Sequence, residues 1–366
     1  MRLLIIISVS FIFALGLMMI FNTSSADILD RSLDRSFEQD LIKQMMYACV
    51  GGLLSFLVWK VGYQHMIKLS PLFLIFLAIL LVCVFIPGMG KVRNGAHRWM
   101  GVGGFTFQPS EFVKYFLLMF YVDWATKTQT ATLSFLKFFK MALLLGIPIG
   151  LVMIEPDNGT AAVMGASLIP LFFLSKIRFK YWAFPMLIMI CLAGAVAYKL
   201  PYVRGRIAVY LHPELDIKGK GHQPHQAKIA AGSGRLFGRG VGASLQKLTY
   251  LPEAQNDYIA AIYAEEFGFV GITVLILLYM LLAFGGFSIA LYARTPSATL
   301  LAMGITFLIS FQAFINLGVV SGLLPSKGVN LPFFSQGGTS LIANLIGLTL
   351  LLNIPKEAHS HEKENS

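Results

Sequence analysis

Several stretches of this 366-residue chain carry side chains whose types and spacing could do chemistry. Asp257 follows Leu251-Pro252-Glu253 and stands just before a long apolar run. A carboxylate partly desolvated there would have a raised pKa, the condition a general base needs near neutral pH. It would serve equally well as the cap of a helix starting near Tyr258. The preceding segment, 199–257, holds nine Lys/Arg against four acids, a net +5. Within it, Gly232-Ser-Gly-Arg-Leu-Phe-Gly-Arg-Gly-Val-Gly242 exposes successive backbone N–H groups and lets an anion approach closely. Arginine forks match phosphate oxygens, so the segment suits a diphosphate at a membrane surface. Attraction to anionic lipid headgroups is the plainer reading of the same charge. The segment has no G-K-[ST] and follows no strand of a βαβ unit, which excludes a Walker A loop and a dinucleotide fingerprint. His222 and His225 would share a helix face, but no acid or cysteine stands at ligand spacing, so no metal site is expected.

Three further groups accompany Asp257. Gln108-Pro-Ser-Glu111 opens an apolar run, and Glu111 and Lys114 are three apart, so they share a helix face and can pair. The pair reads either as a structural ion pair or as the lining of a cavity, because ionisable groups in membrane helices are costly to place. Glu155-Pro-Asp157-Asn-Gly-Thr160 offers either a turn with a helix cap or two carboxylates facing one pocket. Pro325-Ser-Lys-Gly-Val-Asn-Leu-Pro-Phe-Phe-Ser-Gln-Gly-Gly-Thr-Ser340 suggests an ordered re-entrant turn, which is tolerated only against protein or water.

These residues must be positioned by an apolar scaffold. Hydrophobic residues make up 56% of the chain and charged residues 13%, about half the charge of a soluble domain. That excludes a disordered chain, a secreted disulfide scaffold and a free nucleic-acid binder. The expected fold is an all-α polytopic membrane protein of about ten helices, at roughly 3–21, 44–59, 69–86, 108–125, 138–154, 160–175, 181–198, 266–291, 298–318 and 339–354. A long extracytoplasmic loop, 199–257, joins the seventh and eighth. Residues 1–355 form one membrane domain, and 356–366 a cytoplasmic tail expected to be disordered. With the N-terminus cytoplasmic, inside segments carry Lys60, Lys68, Lys127, Lys137, Lys140 and further basic residues, while the short outside loops carry fewer. Both termini then lie inside. Cys49, Cys83 and Cys191 all sit in apolar runs, which argues against disulfides.

Taken in order, several motifs resemble the SEDS family (shape, elongation, division and sporulation), the FtsW and RodA proteins of bacterial walls. They are Gly95-Ala-x-Arg-Trp99, Gln108-Pro-Ser-Glu111, Glu155-Pro-Asp157 with Gly159-Thr160, Gly232-Ser-Gly234, Gln246-Lys247 with Tyr250-Leu-Pro-Glu253, Asp257, Glu265-Glu266 with Gly268, and Pro332 with Ser335 and Gly337-Gly338. The Gln-Lys-x-x-Tyr-Leu-Pro-Glu run and the Pro-Ser-Lys-Gly start of the last loop are more FtsW-like than RodA-like. The chain departs from the family pattern at Gln255-Asn256, at Gln336, and at Arg235, where a glycine is common.

The resemblance implies a peptidoglycan glycosyltransferase of the bacterial cytoplasmic (inner) membrane, polymerising lipid II during cell division. Asp257 matches the catalytic Asp, which would deprotonate the acceptor GlcNAc 4-hydroxyl for attack on a MurNAc bearing undecaprenyl diphosphate. Arg98, Arg204, Arg206, Lys247 and Lys327 are the candidates for holding the diphosphate, with Glu253 and Ser335 as further substrate contacts. Glu111 and Lys114 would line the cavity. Expected partners are lipid II, a class B penicillin-binding protein transpeptidase, other division proteins and membrane lipids, with no nucleic acid. No cofactor is expected, with a divalent cation left open. A lipid II flippase and a non-catalytic division scaffold are the alternatives, and a retained Asp257 argues against the second.

Overall fold

A computed structural model describes residues 1–31, 38–86, 88–93, 96–102, 105–128, 130–199, 210, 221–247, 256–325 and 328–364. Each of the ten apolar runs lies in a helix: α1 Arg2–Arg31, α2 Gln39–Val61, α3 Tyr63–Cys83, α4 Pro109–Lys127, α5 Phe135–Ile154, α6 Asn158–Leu174, α7 Phe179–Lys199, α9 Ile259–Leu291, α10 Pro296–Val320 and α11 Gly338–Glu364. Among the described residues, six of these are long and apolar enough to cross a membrane by length and composition: α1, α2, α3, α5, α9 and α10. An additional short helix, α8 (His222–Ser233), interrupts the segment expected to be a long loop. The last helix continues to Glu364, through most of the 356–366 stretch expected to be a disordered tail.

The chain is inside-out relative to a soluble protein. Leu72, Ile75 and Ile79 of α3, Leu136 and Leu143 of α5, and Phe269, Met280 and Phe284 of α9 are exposed. Glu111, Lys114, Gln312, Asn316 and Asn344 are buried. Lipid solvates the apolar shell, so polar side chains must find partners within the bundle. Helix α10 lies at the centre, packed on α9, α6, α4 and α11. Two-thirds (67%) of its most apolar stretch is buried, against 17–39% in the other long apolar helices. The amides of Gln312 and Asn316, one turn apart on this helix, therefore point polar groups into the middle of the molecule.

The helical fold is as expected, with one small sheet added to it. Gly90–Arg93 (β1), Ala96–Val102 (β2) and Phe105–Phe107 (β3) form a three-stranded antiparallel sheet between α3 and α4. Its register pairs Lys91 with Trp99 and Met100 with Phe107. The strands are only four, seven and three residues long, in a glycine-rich stretch of sequence that reads as a loop. The sheet ends beside Gln108, so it carries Arg98 into the space above α4.

Helix α9 is broken. Gly268 adopts φ 67° and ψ −162°, a backbone conformation open essentially to glycine. The break interrupts the helical hydrogen bonds, and the backbone of the 235–240 segment replaces them. Arg239 N and Gly240 N donate to the carbonyls of Glu265 and Glu266, while Phe269 N and Val270 N donate to those of Arg235 and Leu236. This backbone pairing ties the segment after α8 to the N-terminal part of α9, which carries Asp257 at its start.

Candidate functional site

Asp257 precedes the first turn of α9 and is half-buried. Asn316 of α10 donates its amide to the Asp257 carbonyl at 2.9 Å and to the Val329 carbonyl at 2.7 Å. One side chain thus fixes both Asp257 and the loop entering α11. Gly328 in that loop has φ +64°, and the position of a β-carbon there would be 3.5 Å from Asp257 Oδ2 and 3.9 Å from Arg98 Nη1. The carboxylate and the guanidinium therefore flank the same point of backbone.

Arg98 extends the cluster to the turn between α5 and α6. Its Nη1 lies 3.7 Å from Asp157 Oδ1. Asp157 also caps α6, accepting from Thr160 N at 3.2 Å, and accepts from Gln108 Nε2 at 3.0 Å. The cap reading of the Glu155–Asp157 turn thus holds, and Asp157 also pairs with Arg98. Burial raises the Asp157 pKa, with Arg98 and the bonds from Thr160 opposing the shift. Glu155, fully buried, has no hydrogen-bond partner on either carboxylate oxygen among the described residues. Burial first, and then the neighbouring Asp157, push it up to about 8 against the opposing field of Arg98. Two acids with separated environments and one guanidinium meet at this end of the bundle.

Glu111 and Lys114 form the expected pair, 2.7 Å apart and almost wholly buried. Lys114 Nζ also donates to Gln312 Oε1 at 2.8 Å, and Gln312 Nε2 donates to the Asn330 carbonyl at 2.9 Å. The pair thereby supports the 328–330 loop from below. Sequence reading passed over Gln312 and Asn316. The available signal was two amides four residues apart inside an apolar run, where each needs a partner in the protein.

Two expected substrate contacts take other roles. Lys247 has three ammonium protons to donate. Its contacts are Glu266 Oε1 at 2.9 Å, Asn22 Oδ1 at 2.6 Å and the Gly242 carbonyl at 2.7 Å. All three donors are committed, and the pair with Glu266 is buried, so Lys247 holds the 234–247 segment against α1 and α9 rather than facing a diphosphate. Glu265 beside it accepts from Ser244 Oγ, Leu245 N and Gln246 N. Ser335 is buried inside the Leu331–Ser335 turn, where its hydroxyl accepts from Leu331 N at 2.9 Å. Arg204, Arg206, Glu253 and Lys327 lie outside the described residues.

The glycine-rich run also differs from its expected use. A β-carbon on Gly238 would lie 2.0 Å from the Glu266 carbonyl oxygen. Gly234 and Gly238 thus admit the backbone of α9, whereas Gly232, Gly240 and Gly242 stand in open space. Arg235, where the family commonly has glycine, has φ +50°, which explains why glycine suits that position. His222 and His225 are indeed helical, in α8. Among the described residues, no group of three or more His, Cys, Asp or Glu is placed to hold a metal ion.

A lipid-facing helical shell, an interior polar network and a carboxylate–guanidinium cluster at one end define an integral membrane protein with its candidate chemistry at one surface. Comparisons with known proteins narrow this class. The family model "Cell cycle protein", covering FtsW, RodA and SpoVE, matches residues 2–360. The chain belongs to this family. It is 39% identical over 359 residues to the stage V sporulation protein E of Bacillus subtilis, covering 97% of this chain and 96% of that one. It is 37% identical to a probable peptidoglycan glycosyltransferase FtsW of Legionella pneumophila over 94% of this chain and 88% of that protein. Among solved structures, it resembles a chain of a peptidoglycan synthase complex that coordinates polymerization and crosslinking, at TM-score 0.78 and 27% identity, covering 96% of this chain and 97% of that one. It also resembles the rod shape determining protein RodA of Thermus thermophilus, at TM-score 0.69 and 25% identity, covering 96% of each chain.

Proposed function

We propose that this protein is a peptidoglycan glycosyltransferase that polymerises lipid II at the outer face of the bacterial cytoplasmic membrane, crossing it ten times with both termini inside. The observation that carries the reading is the convergence of Asp257 and Arg98 at Gly328, at the end of the bundle where the Glu155–Asp157 turn also lies. Family membership and the printed names of the relatives support it.

Asp257 acts as the general base. It takes the proton from the acceptor GlcNAc 4-hydroxyl as that oxygen attacks the anomeric carbon of the donor MurNAc, and undecaprenyl diphosphate departs with inversion. The diphosphate gathers negative charge as the bond breaks, so a cation fixed beforehand stabilises the transition state. Arg98 is the described cation in that position. Asp157, itself held by the Gln108 amide, pairs with it, and Asn316 holds the backbone of Asp257. Arg204, Arg206 and Lys327 complete the diphosphate site, and Glu253 contacts the substrate. A class B penicillin-binding protein works alongside it as the transpeptidase, and the setting is cell division.

The test is direct. The purified protein, with its partner transpeptidase, is supplied with lipid II in liposomes. Wild type makes glycan strands, whereas Asp257→Ala makes none. Lipid II crossing the bilayer without polymer formation would overturn the reading in favour of a flippase.

A further inference from the structure

The end of the bundle opposite Asp257 holds a cavity of its own. Helix α4 runs from Pro109, next to Gln108 of the candidate site, to Lys127, and its 19 residues span about 28 Å. Helix α5 runs back to the Glu155–Asp157 turn. Between the far ends of the two helices lies a cavity of about 650 Å³.

The lining of this cavity is graded. Lys137, Lys140, Met141 and Leu144 lie on one face of α5 at spacings of three, four and seven residues, so cations give way to apolar side chains along the helix. Lys127 and Trp124 of α4 face them, and Thr128, Thr132 and Ser134 add hydroxyls at the mouth. Lys127 pairs with Asp123 at 2.7 Å, but among the described residues no carboxylate pairs with Lys137 or Lys140. Leu143, Leu144 and Ile147 are exposed beyond the cations, continuing the lipid-facing surface of α5.

We propose that this cavity is a binding site for an anionic phospholipid of the facing leaflet. The phosphate sits between Lys127, Lys137 and Lys140, the hydroxyls take the headgroup, and the acyl chains run along Met141, Leu144 and Ile147. A free anion would use the cations but has no need of the apolar wall, and a zwitterionic lipid would use the wall but adds its own cation beside three lysines. Basic recesses between membrane helices are built for anionic headgroups.

The full-length, delipidated protein is titrated with dioctanoyl phosphatidylglycerol, dioctanoyl phosphatidylcholine and inorganic phosphate, with bound species counted by native mass spectrometry. Phosphatidylglycerol binds in preference to both. Each lysine near an anionic headgroup contributes about fivefold, so Lys137→Ala with Lys140→Ala weakens that binding by about thirtyfold. Arginine at both positions retains it. Lys60→Ala with Lys68→Ala, which remove charge elsewhere, leave it unchanged. Equal binding of phosphatidylcholine, phosphate binding as tight as that of the lipid, or undiminished lipid binding in the double alanine variant would each overturn the proposal. The wild-type comparison of the three probes decides it even where a variant fails to fold.

Discussion

Replacing Lys247 with methionine separates a structural lysine from a substrate-binding one. The ammonium is buried with Glu266, Asn22 and the Gly242 carbonyl, and its pair with Glu266 is 6% and 0% exposed on the two side chains. Methionine keeps most of the volume and removes the charge. Among the described residues Glu266 then retains the Asn22 amide and the Ser244 N–H, leaving a buried carboxylate without its cation. Breaking a buried pair from one side costs about 3–5 kcal/mol. The Lys247→Met variant should therefore melt several degrees lower in detergent and lose activity with its fold. Adding Glu266→Gln removes the orphaned charge, so the double variant should recover at least about 2 kcal/mol of the loss and regain glycan synthesis. A double variant that regains stability yet stays inactive would refute the argument, because the ammonium would then be needed by the substrate. So would a Lys247→Met variant that melts like wild type.

Three other outcomes follow from the geometry. Gly268→Ala places a β-carbon 2.3 Å from Gly238 N and 2.6 Å from the Leu236 carbonyl oxygen, both backbone atoms, in a conformation alanine resists. It should cost more than about 3 kcal/mol and expose the 234–247 segment to limited proteolysis; normal melting and protease resistance would contradict the role of the break. Glu155 holds its proton more tightly in the folded state, up to about 8 from an ordinary 4.5, so its burial is free below about pH 4.5 and increasingly costly as pH rises to about 8. Glu155→Gln should flatten the stability profile over that window and melt higher than wild type at pH 8; a profile that keeps the wild-type slope would remove Glu155 as its cause. Asn316→Ala removes the amide that holds the Asp257 and Val329 carbonyls. It should lower kcat by about tenfold or more with a smaller change in KM, and a change confined to KM would indicate substrate binding instead.

The apolar scaffold was legible residue by residue. All ten hydrophobic runs lie in helices, because in lipid a run that long satisfies its backbone only by coiling on itself. The same constraint made Asp257, Glu111 with Lys114, and the Glu155–Asp157 turn stand out, since charge in such surroundings needs a reason. The short sheet was hidden because each strand has only a few residues and draws its stability from pairing with its neighbours.

What sequence alone determined was therefore the solvent of the chain and the short roster of polar residues that matter in it. Tertiary structure alone decided what each of them touches. Lys247 and Arg98 are both cations within motifs that read alike in the sequence, yet one has every donor committed to Glu266, Asn22 and Gly242, while the other stands by Asp257 at Gly328. Within the 232–242 run that reads as an anion cradle, Gly234 and Gly238 give clearance to the backbone of the broken helix α9. The physical reason is one of distance along the chain. Hydrophobic spacing is local and can be read in order, but a buried charge is satisfied by whichever partners the fold brings to it: Lys247 is neutralised by Glu266 of the next helix and hydrogen-bonded by Asn22, 225 residues away.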